Sequence, residues 1–325
     1  MAAFAEGSPC WADATLPDLR AGERFYGELF GWTFTEGGAG TDAGPGFPRH
    51  SRAYLDGRPI AALVAKRDGR MPTAWGVHLA TPDLAGTLEK VRRAGGTVLT
   101  EPVAAADAGR SATVADPDGA VFAVWQAGER PGFGVTDVPG SFCWTEVYVR
   151  NADAADAFYP AVFGYELQAP PFDAGDFKAW TLPESGRQVA GRAIVGDVLP
   201  PEMPPHFLVY FRVGDVGDAL RTVRRGGGRV LVDRQEIPGA TFAVVVDNQG
   251  AAFAVMDGAA AGDGEPAGAG AARDEPAQDE PAQGRPAATG DGEPPRGGSA
   301  AAGGGASGER AAEPPSAPAT SADGT

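Results

Sequence analysis

The sequence predicts an α+β protein that contains two copies of one module, followed by a tail that takes no part in the fold. Two observations carry this prediction. Four blocks of sequence recur in the same order, which indicates an internal duplication. Within each copy, short apolar strands alternate with helices that have recognisable caps and stop signals.

The duplication rests on the order of the blocks as well as on their similarity. The segment Gly-Ser-Pro-Cys-Trp returns as Gly-Ser-Phe-Cys-Trp at an offset of 133 residues, and the last block returns at 131. This small drift indicates duplication with short insertions or deletions in loops. The paired blocks are 7–11 with 140–144, 25–32 with 158–165, 94–99 with 226–231, and 116–124 with 247–255.

Each copy begins with a strand and a capped helix. In the first copy a strand at 10–15 leads to Asp18 as the N-cap, and the helix Leu19–Phe30 stops at Gly31. The second copy repeats this pattern with a strand at 143–149, Asn151 as the cap, a helix ending at Phe163, and Gly164 as the stop. Pro160 should kink or shorten that helix, because it lacks a backbone donor.

The later parts of the two copies also correspond. Asp-Pro-Asp-Gly and Asp-Asn-Gln-Gly predict hairpin turns between the last two strands of each copy. In the first copy we predict strands at 52–55, 59–65, 74–80, 111–115 and 121–125, and a helix from the cap Asp83 to Gly95. In the second copy we predict strands at 178–182, 188–194, 207–213, 242–246 and 252–256, and a helix from the cap Asp215 to Gly226.

The sequence divides into modules at 8–127 and 141–257 and a tail at 258–325. The tail contains no Val, Ile, Leu, Met, Phe, Trp or Tyr, and it has 11 acidic residues against 4 arginines. Such a composition cannot bury enough apolar surface to offset the loss of chain entropy on folding, so we predict that the tail is disordered.

Composition and charge exclude several classes of partner and compartment. The net charge of −16 argues against binding to a nucleic-acid backbone. No apolar run is long enough for a membrane span, and no secretory signal is visible, so we expect no membrane partner. Two cysteines, Cys10 and Cys143, indicate a reduced cytoplasmic protein without a disulfide framework, and both should be buried facing the helices.

Three motifs connect these elements to a known family. They are Pro-Asp-Leu-x-x-x-x-x-Phe-Tyr-x-x-Leu-Phe-Gly-Trp at 17–32, Gly-Gly-x-Val at 95–98, and Asp-Pro-Asp-Gly-x-x-Phe at 116–122. This pattern resembles the vicinal oxygen chelate (VOC) superfamily, which includes glyoxalase I, extradiol dioxygenases and bleomycin-resistance proteins. The resemblance covers nearly all of both modules. It implies paired βαβββ units whose strands curl into a cup with the functional site inside.

The resemblance also implies where a metal ion would be held. Enzymes of the family use His and Glu side chains that point into the cup. By spacing, the matching positions are Trp11, Val77 and Ala123 in the first copy and Trp144, Val209 and Ala254 in the second. The fourth position falls within 60–63 or 189–192, where there is no His or Glu. We therefore predict no metal site and no cofactor.

The chain contains three histidines, His50, His78 and His206. His78 lies one residue from the position matched to a metal ligand. Because successive residues of a strand face opposite sides, we expect His78 to point away from the cup unless a bulge intervenes. We expect His50 in a loop and His206 at the mouth of a strand.

The predicted lining of the two cups is aromatic and apolar, with one carboxylate in each. A concave apolar surface with few polar groups is typical of a small-molecule site. Alternatively, these aromatic side chains fill the cups as core. Asp13 and Glu146 are the candidate catalytic residues. The predicted ligand-binding residues are Trp11, Asp13, Trp75, Val77, Trp125, Trp144, Glu146, Tyr148, Phe207 and Val209.

Three functional hypotheses follow. The first is a metal-independent tandem VOC protein, glyoxalase-like or bleomycin-resistance-like, that binds a small, partly aromatic molecule as a monomer or homodimer. The second is a VOC-type enzyme, such as a lyase, dioxygenase or hydroxylase, with a shifted metal set of Asp13, Glu146 and His78 or with carboxylate acid/base chemistry. The third is a scaffold that acts through its acidic tail. The sequence leaves open whether the protein is an enzyme.

Overall fold

The computed structural model describes residues 4–37, 49–196 and 202–258. The predicted disorder of the tail concerns residues that, apart from Gly258, lie outside these ranges. None of the described helices combines the length and the apolar character that a membrane span requires.

Within the described residues, the first module contains nine strands and two α-helices. In chain order these are β1 (Pro9–Leu16), α1 (Leu19–Phe30), β2 (Thr33–Gly37), β3 (His50–Leu55), β4 (Arg58–Ala65), β5 (Ala74–Ala80), α2 (Leu84–Arg93), β6 (Thr97–Val98), β7 (Val103–Ala104), β8 (Gly109–Ala115) and β9 (Val121–Ala127). A short 3₁₀ turn at Ala106–Ala108 precedes β8.

The described part of the second module repeats this order without a counterpart of β7. Its elements are β10 (Phe142–Val149), α3 (Ala152–Phe163), β11 (Glu166–Gln168), β12 (Lys178–Thr181), β13 (Gln188–Ile194), β14 (His206–Arg212), α4 (Val216–Arg225), β15 (Arg229–Ile237), β16 (Ala240–Val246) and β17 (Ala252–Gly258). Strands β2, β6, β7, β11 and β15 were not predicted from the sequence.

The helix boundaries confirm the predicted caps. The Asp18 carboxylate accepts a hydrogen bond from the backbone of Ala21, and Gly31 ends α1 in the left-handed region at φ 73°. The predicted effect of Pro160 on helix length is wrong, because α3 has 12 residues, as many as α1. The backbone N–H of Gly164 donates to the Pro160 carbonyl, so the proline lies within the last complete turn.

Both sheets have one topology, which confirms the α+β class and the tandem modules. The first runs β2-β3-β4-β1-β5-β9-β8-β6, with β7 also paired to β8, and the second runs β11-β12-β13-β10-β14-β17-β16-β15. In the first sheet β1 is parallel to β4 and antiparallel to β5. Each sheet is therefore two βαβββ-like halves joined at its centre.

The two sheets share one hydrophobic core. The ring centroids of Trp75 on β5 and Phe211 on β14 are 4.9 Å apart, and those of Phe122 on β9 and Phe207 on β14 are 5.4 Å apart. Helix α1 contributes Phe30, whose ring lies 5.1 Å from Phe211. The helix-bearing faces of the sheets thus pack toward each other, and the opposite faces form the two cups.

Hydrogen bonds across this core come in reciprocal pairs. Tyr26 donates to Asp247 at 2.8 Å, and the repeat-equivalent Tyr159 donates to Asp116 at 2.9 Å. Burial, followed by the charge of the facing aspartate, raises the pKa of both tyrosines well above its usual value. These pairs give the two modules a pseudo-twofold interface.

Candidate functional site

Each cup is the face of one sheet that points away from the shared core. In β1 the buried Ala12, Ala14 and Leu16 alternate with Trp11, Asp13 and Thr15, which are partly exposed. We call the face with Trp11 and Asp13 the first cup. The matching face of the second sheet, with Trp144 and Glu146, is the second cup.

Strand register decides which residues of β5 face the first cup. Trp11 is paired with His78, and Asp13 is paired with Gly76. Directly paired residues lie on the same face, so His78 and Gly76 line the cup, and Val77 belongs to the core. The prediction that His78 points away from the cup is wrong, because the pairing of β5 with β1 places His78, rather than Val77, on the same face as Trp11.

The same register error affects four of the predicted lining residues. Trp75 and Val77 belong to the shared core, and so do Phe207 and Val209 in the second module. Their predicted place in the cups is wrong. The cup-facing residues at these points are Gly76 and His78 in the first module and Leu208 and Tyr210 in the second. Trp11, Asp13, Trp125, Trp144, Glu146 and Tyr148 face the cups as predicted.

Asp13 and His78 form a hydrogen-bonded pair in the first cup. His78 Nε2 lies 3.0 Å from Asp13 Oδ2, with 14% of the His78 side chain and 29% of the Asp13 side chain exposed. His78 Nδ1 is buried and has no hydrogen-bond partner among the residues that the structure describes. A buried N–H without an acceptor is costly, so the proton belongs on Nε2, which donates to Asp13.

The floor of the first cup is made of small side chains. Ala62 lies beside Asp13, and Ala123 lies beside His78 in the sheet register. Two partly exposed tryptophans, Trp11 and Trp125, stand at the borders of this floor. The Trp125 ring lies against Gly109, where an added Cβ would come within 2.6 Å of it. The first cup thus has a small floor and aromatic borders.

The outer wall of the first cup is basic. Tyr54 and Arg52 lie on the cup-facing side of β3. Burial raises the pKa of Tyr54, but hydrogen bonds from Thr35 and Arg52 and the charges of Arg52 and Arg130 outweigh this and lower it. The positive charges of Arg52 and Arg130 therefore lie close enough to stabilise the ionised form of Tyr54.

The second cup is filled by its own side chains. Glu146 accepts hydrogen bonds from Trp144 Nε1 at 3.1 Å, Tyr148 at 3.0 Å and Tyr210 at 2.7 Å. Burial raises the pKa of Glu146, although the three donors oppose this change. Apolar residues complete the filling, namely Leu208, Phe242, Val244, Ala254 and Met256. The alternative that the aromatic side chains fill the cup as core is therefore confirmed for the second cup.

Larger residues at repeat-equivalent positions explain the difference between the cups. The loop before β12 adds Phe177, whose ring covers Gly191, so that a Cβ there would come within 2.5 Å of it. From first cup to second, the replacements are Thr15 to Tyr148, Ala74 to His206, Gly76 to Leu208, His78 to Tyr210, Ser111 to Phe242 and Thr113 to Val244.

Comparison with known proteins agrees with this architecture. Residues 12–125 match the family model described as a glyoxalase-like domain. DnrV of Streptomyces peucetius, an anthracycline biosynthesis protein, is 34% identical over 289 residues, covering 84% of this chain and 100% of DnrV. CFP32 of Mycobacterium tuberculosis, described by name as a glyoxylase, is 32% identical over 265 residues, covering 78% of this chain and 95% of CFP32.

The chain belongs to the glyoxalase-like family of the VOC superfamily.

Solved structures support the same fold for this VOC protein. The Mn(II)-bound glyoxalase from Novosphingobium aromaticivorans superposes with a TM-score of 0.53 at 15% identity, covering 78% of this chain and 83% of its own. The 2,3-dioxygenase LapB from Pseudomonas sp. KL28 gives a TM-score of 0.53 at 13% identity, covering 79% and 94%. At these identities the likeness shows the fold alone.

The donor set of the first cup does not fit the metal ion that VOC enzymes use. Asp13 and His78 are bonded to each other, and their neighbours in the sheet are Trp11, Ala62 and Ala123. Within the described ranges, no three His, Cys, Asp or Glu residues are grouped to hold a metal. Catalytic metal sites commonly take three protein ligands. The set of Asp13, Glu146 and His78 does not assemble, because Glu146 lies in the other sheet.

The remaining histidines and cysteines have local partners. His206 lies at the start of β14, with its ring stacked on Tyr148 at 5.5 Å, and burial lowers its pKa. His50 is the first residue of β3 rather than part of a loop. Both cysteines are buried as predicted. However, Cys143 packs with the side chains of the second cup, because a register irregularity in β10 turns it away from the helices.

Proposed function

We propose that the first cup binds a small, flat, partly aromatic molecule, and that it does so without a protein-bound metal ion. The observation that carries this proposal is the contrast between the two cups. One face is lined by partly exposed residues over a floor of small side chains, whereas its duplicate is closed by its own side chains.

The chemistry of the first cup supports this class of ligand. Trp11 and Trp125 offer aromatic surface, and Asp13 and His78 supply a small polar group between them. Apolar pockets with a few placed polar groups are the usual form of small-molecule sites. The relative DnrV is named for anthracycline biosynthesis, and anthracyclines are flat polycyclic aromatic molecules. Binding without turnover would sequester such a molecule, whether the protein is a monomer or a homodimer.

Exchanging residues between the cups tests the proposal. Gly76→Leu places in the first cup the residue that closes the second, where Leu208 is completely buried. Full-length protein titrated with a flat aromatic probe, 2-methoxyanthraquinone, should lose at least about tenfold in affinity. The control Leu208→Ala alters the second cup and should leave probe affinity unchanged in protein that a thermal melt shows to be folded. Unchanged binding by Gly76→Leu, or no binding by the wild type, would contradict the proposal.

A second candidate is an enzyme of the VOC superfamily that uses Asp13 as a base. The Asp13–His78 hydrogen bond favours it, since an oriented carboxylate can accept a proton from an acidic C–H or O–H group. The wild type should catalyse deuterium exchange from D₂O into the carbon next to the carbonyl of 1-tetralone, and Asp13→Asn should abolish exchange while still binding. An exchange rate equal to that without protein would remove this candidate and leave the binding proposal intact.

A further inference from the structure

We infer that Asp13 Oδ1 is a hydrogen-bond acceptor that makes the first cup selective for hydroxylated aromatic molecules. This inference rests on the proposed function and specifies the ligand further. It assigns one oxygen of Asp13 to His78 and the other to a phenolic hydroxyl of the ligand.

The two oxygens of Asp13 have different surroundings. Oδ2 is engaged by His78 Nε2 at 3.0 Å. Oδ1 lies above Gly76, where an added Cβ would stand 3.3 Å away. Because Gly76 has no side chain, the space beside Oδ1 stays open, and 29% of the Asp13 side chain is exposed.

The hydrogen bond from His78 determines which oxygen of Asp13 is left for a ligand. His78 Nε2 donates to Oδ2, so Oδ1 remains as the acceptor that faces the cup. A carboxylate has no proton to donate and can only accept. A group that binds Oδ1 must therefore be a donor, and a hydroxyl in the plane of an aromatic ring meets this need.

The second cup shows the same recognition within the chain. Glu146 matches Asp13 in the repeat and takes hydrogen bonds from two phenols, Tyr148 and Tyr210. Both of its oxygens are engaged, and Leu208 occupies the position matched to Gly76. The protein thus supplies to Glu146 the phenol hydroxyls that the first cup would take from its ligand.

Two probes that differ by one methyl group test the inference. Full-length protein is titrated with 2-hydroxyanthraquinone and 2-methoxyanthraquinone, below the pKa of the hydroxyl so that it stays protonated. The wild type should bind the hydroxyl compound at least about tenfold more tightly. Asp13→Asn should still bind the methyl ether but lose the preference, because its amide carbonyl accepts from His78 and turns the NH₂ group toward the ligand.

Two further variants complete the design. Gly76→Ala places a methyl group beside Oδ1 and should also reduce the preference, which keeps the test open if Asp13→Asn does not fold. Tyr210→Phe changes the matching position in the second cup and should keep it. Equal binding of the two probes by the wild type, or a preference that survives in Asp13→Asn, would overturn the inference and leave the proposed function standing. If neither probe binds, the proposed function fails.

Discussion

The two cups descend from one module and now differ in what their central carboxylate contacts. In the first cup, Asp13 faces an imidazole on one side and open space on the other. In the second, Glu146 is held by one indole and two phenols. The interface between the modules keeps its reciprocal hydrogen bonds between tyrosine and aspartate, whereas the side chains of the two cups differ. The second cup has become part of the packing, whereas the residues that line the first cup stay partly exposed.

The largest expected difference between the cups is in their contribution to stability. Trp144 is 5% exposed within the filled cup, so Trp144→Ala should cost about 3–5 kcal/mol of unfolding free energy. The matched Trp11→Ala should cost at least about 1 kcal/mol less, because Trp11 is only partly buried. Urea denaturation of both variants measures this difference. Equal losses would mean that the first cup is packed as tightly as the second.

The two tyrosines of the interface should respond unequally. Tyr26→Phe and Tyr159→Phe each remove a hydrogen bond to a buried aspartate, and each should cost about 1–3 kcal/mol. Tyr26 also accepts a hydrogen bond from Trp75 Nε1 at 2.9 Å, whereas Phe207 stands at the matched position of the second module, so Tyr26→Phe should cost about 1 kcal/mol more in the same denaturation assay. Equal losses would mean that the hydrogen bond from Trp75 adds nothing to stability.

The smallest effect concerns the pH dependence of stability. Because burial raises the pKa of Glu146 above its usual 4.5, the folded protein keeps this proton where the unfolded chain has released it. The stability from this group is therefore present below pH 4.5 and falls as pH rises through the raised pKa. The Glu146→Gln variant has no carboxyl group to titrate at this position. As pH rises, the wild type should therefore lose stability relative to this variant. The loss should be about 1.4 kcal/mol for each pH unit that separates the folded pKa from the unfolded one. A stability difference that is constant from about pH 4 to about pH 8 would contradict this.

Local signals predicted much of the fold. Asp18 and Gly31 mark the ends of α1 because capping depends on a few neighbouring residues. The edge strands lacked such signals. The polar segment Asp-Arg-Gln-Glu in the second half of β15 is held in the sheet by pairing with β16, which the sequence does not encode locally.

The cup residues were harder to predict, because which face of a strand is the cup depends on its partner. In β5 the large apolar Trp75 and Val77 alternate with the smaller or polar Gly76 and His78, a pattern that marks the core face. The spacing that matched Val77 to a metal-ligand position pointed to the opposite face. In β14 both faces are apolar, with Val209 on one and Leu208 on the other, so only its register with β10 assigns them.

The hydrogen bond between Tyr26 and Asp247 joins residues 221 positions apart. During synthesis on the ribosome, the first module leaves the exit tunnel long before Asp247 and the aromatic residues of β14 exist. The apolar face of its helices therefore stays exposed to solvent until almost all of the described residues have been synthesised. We expect productive folding to be a late event in synthesis, with the second module serving as the covering surface that the first one needs.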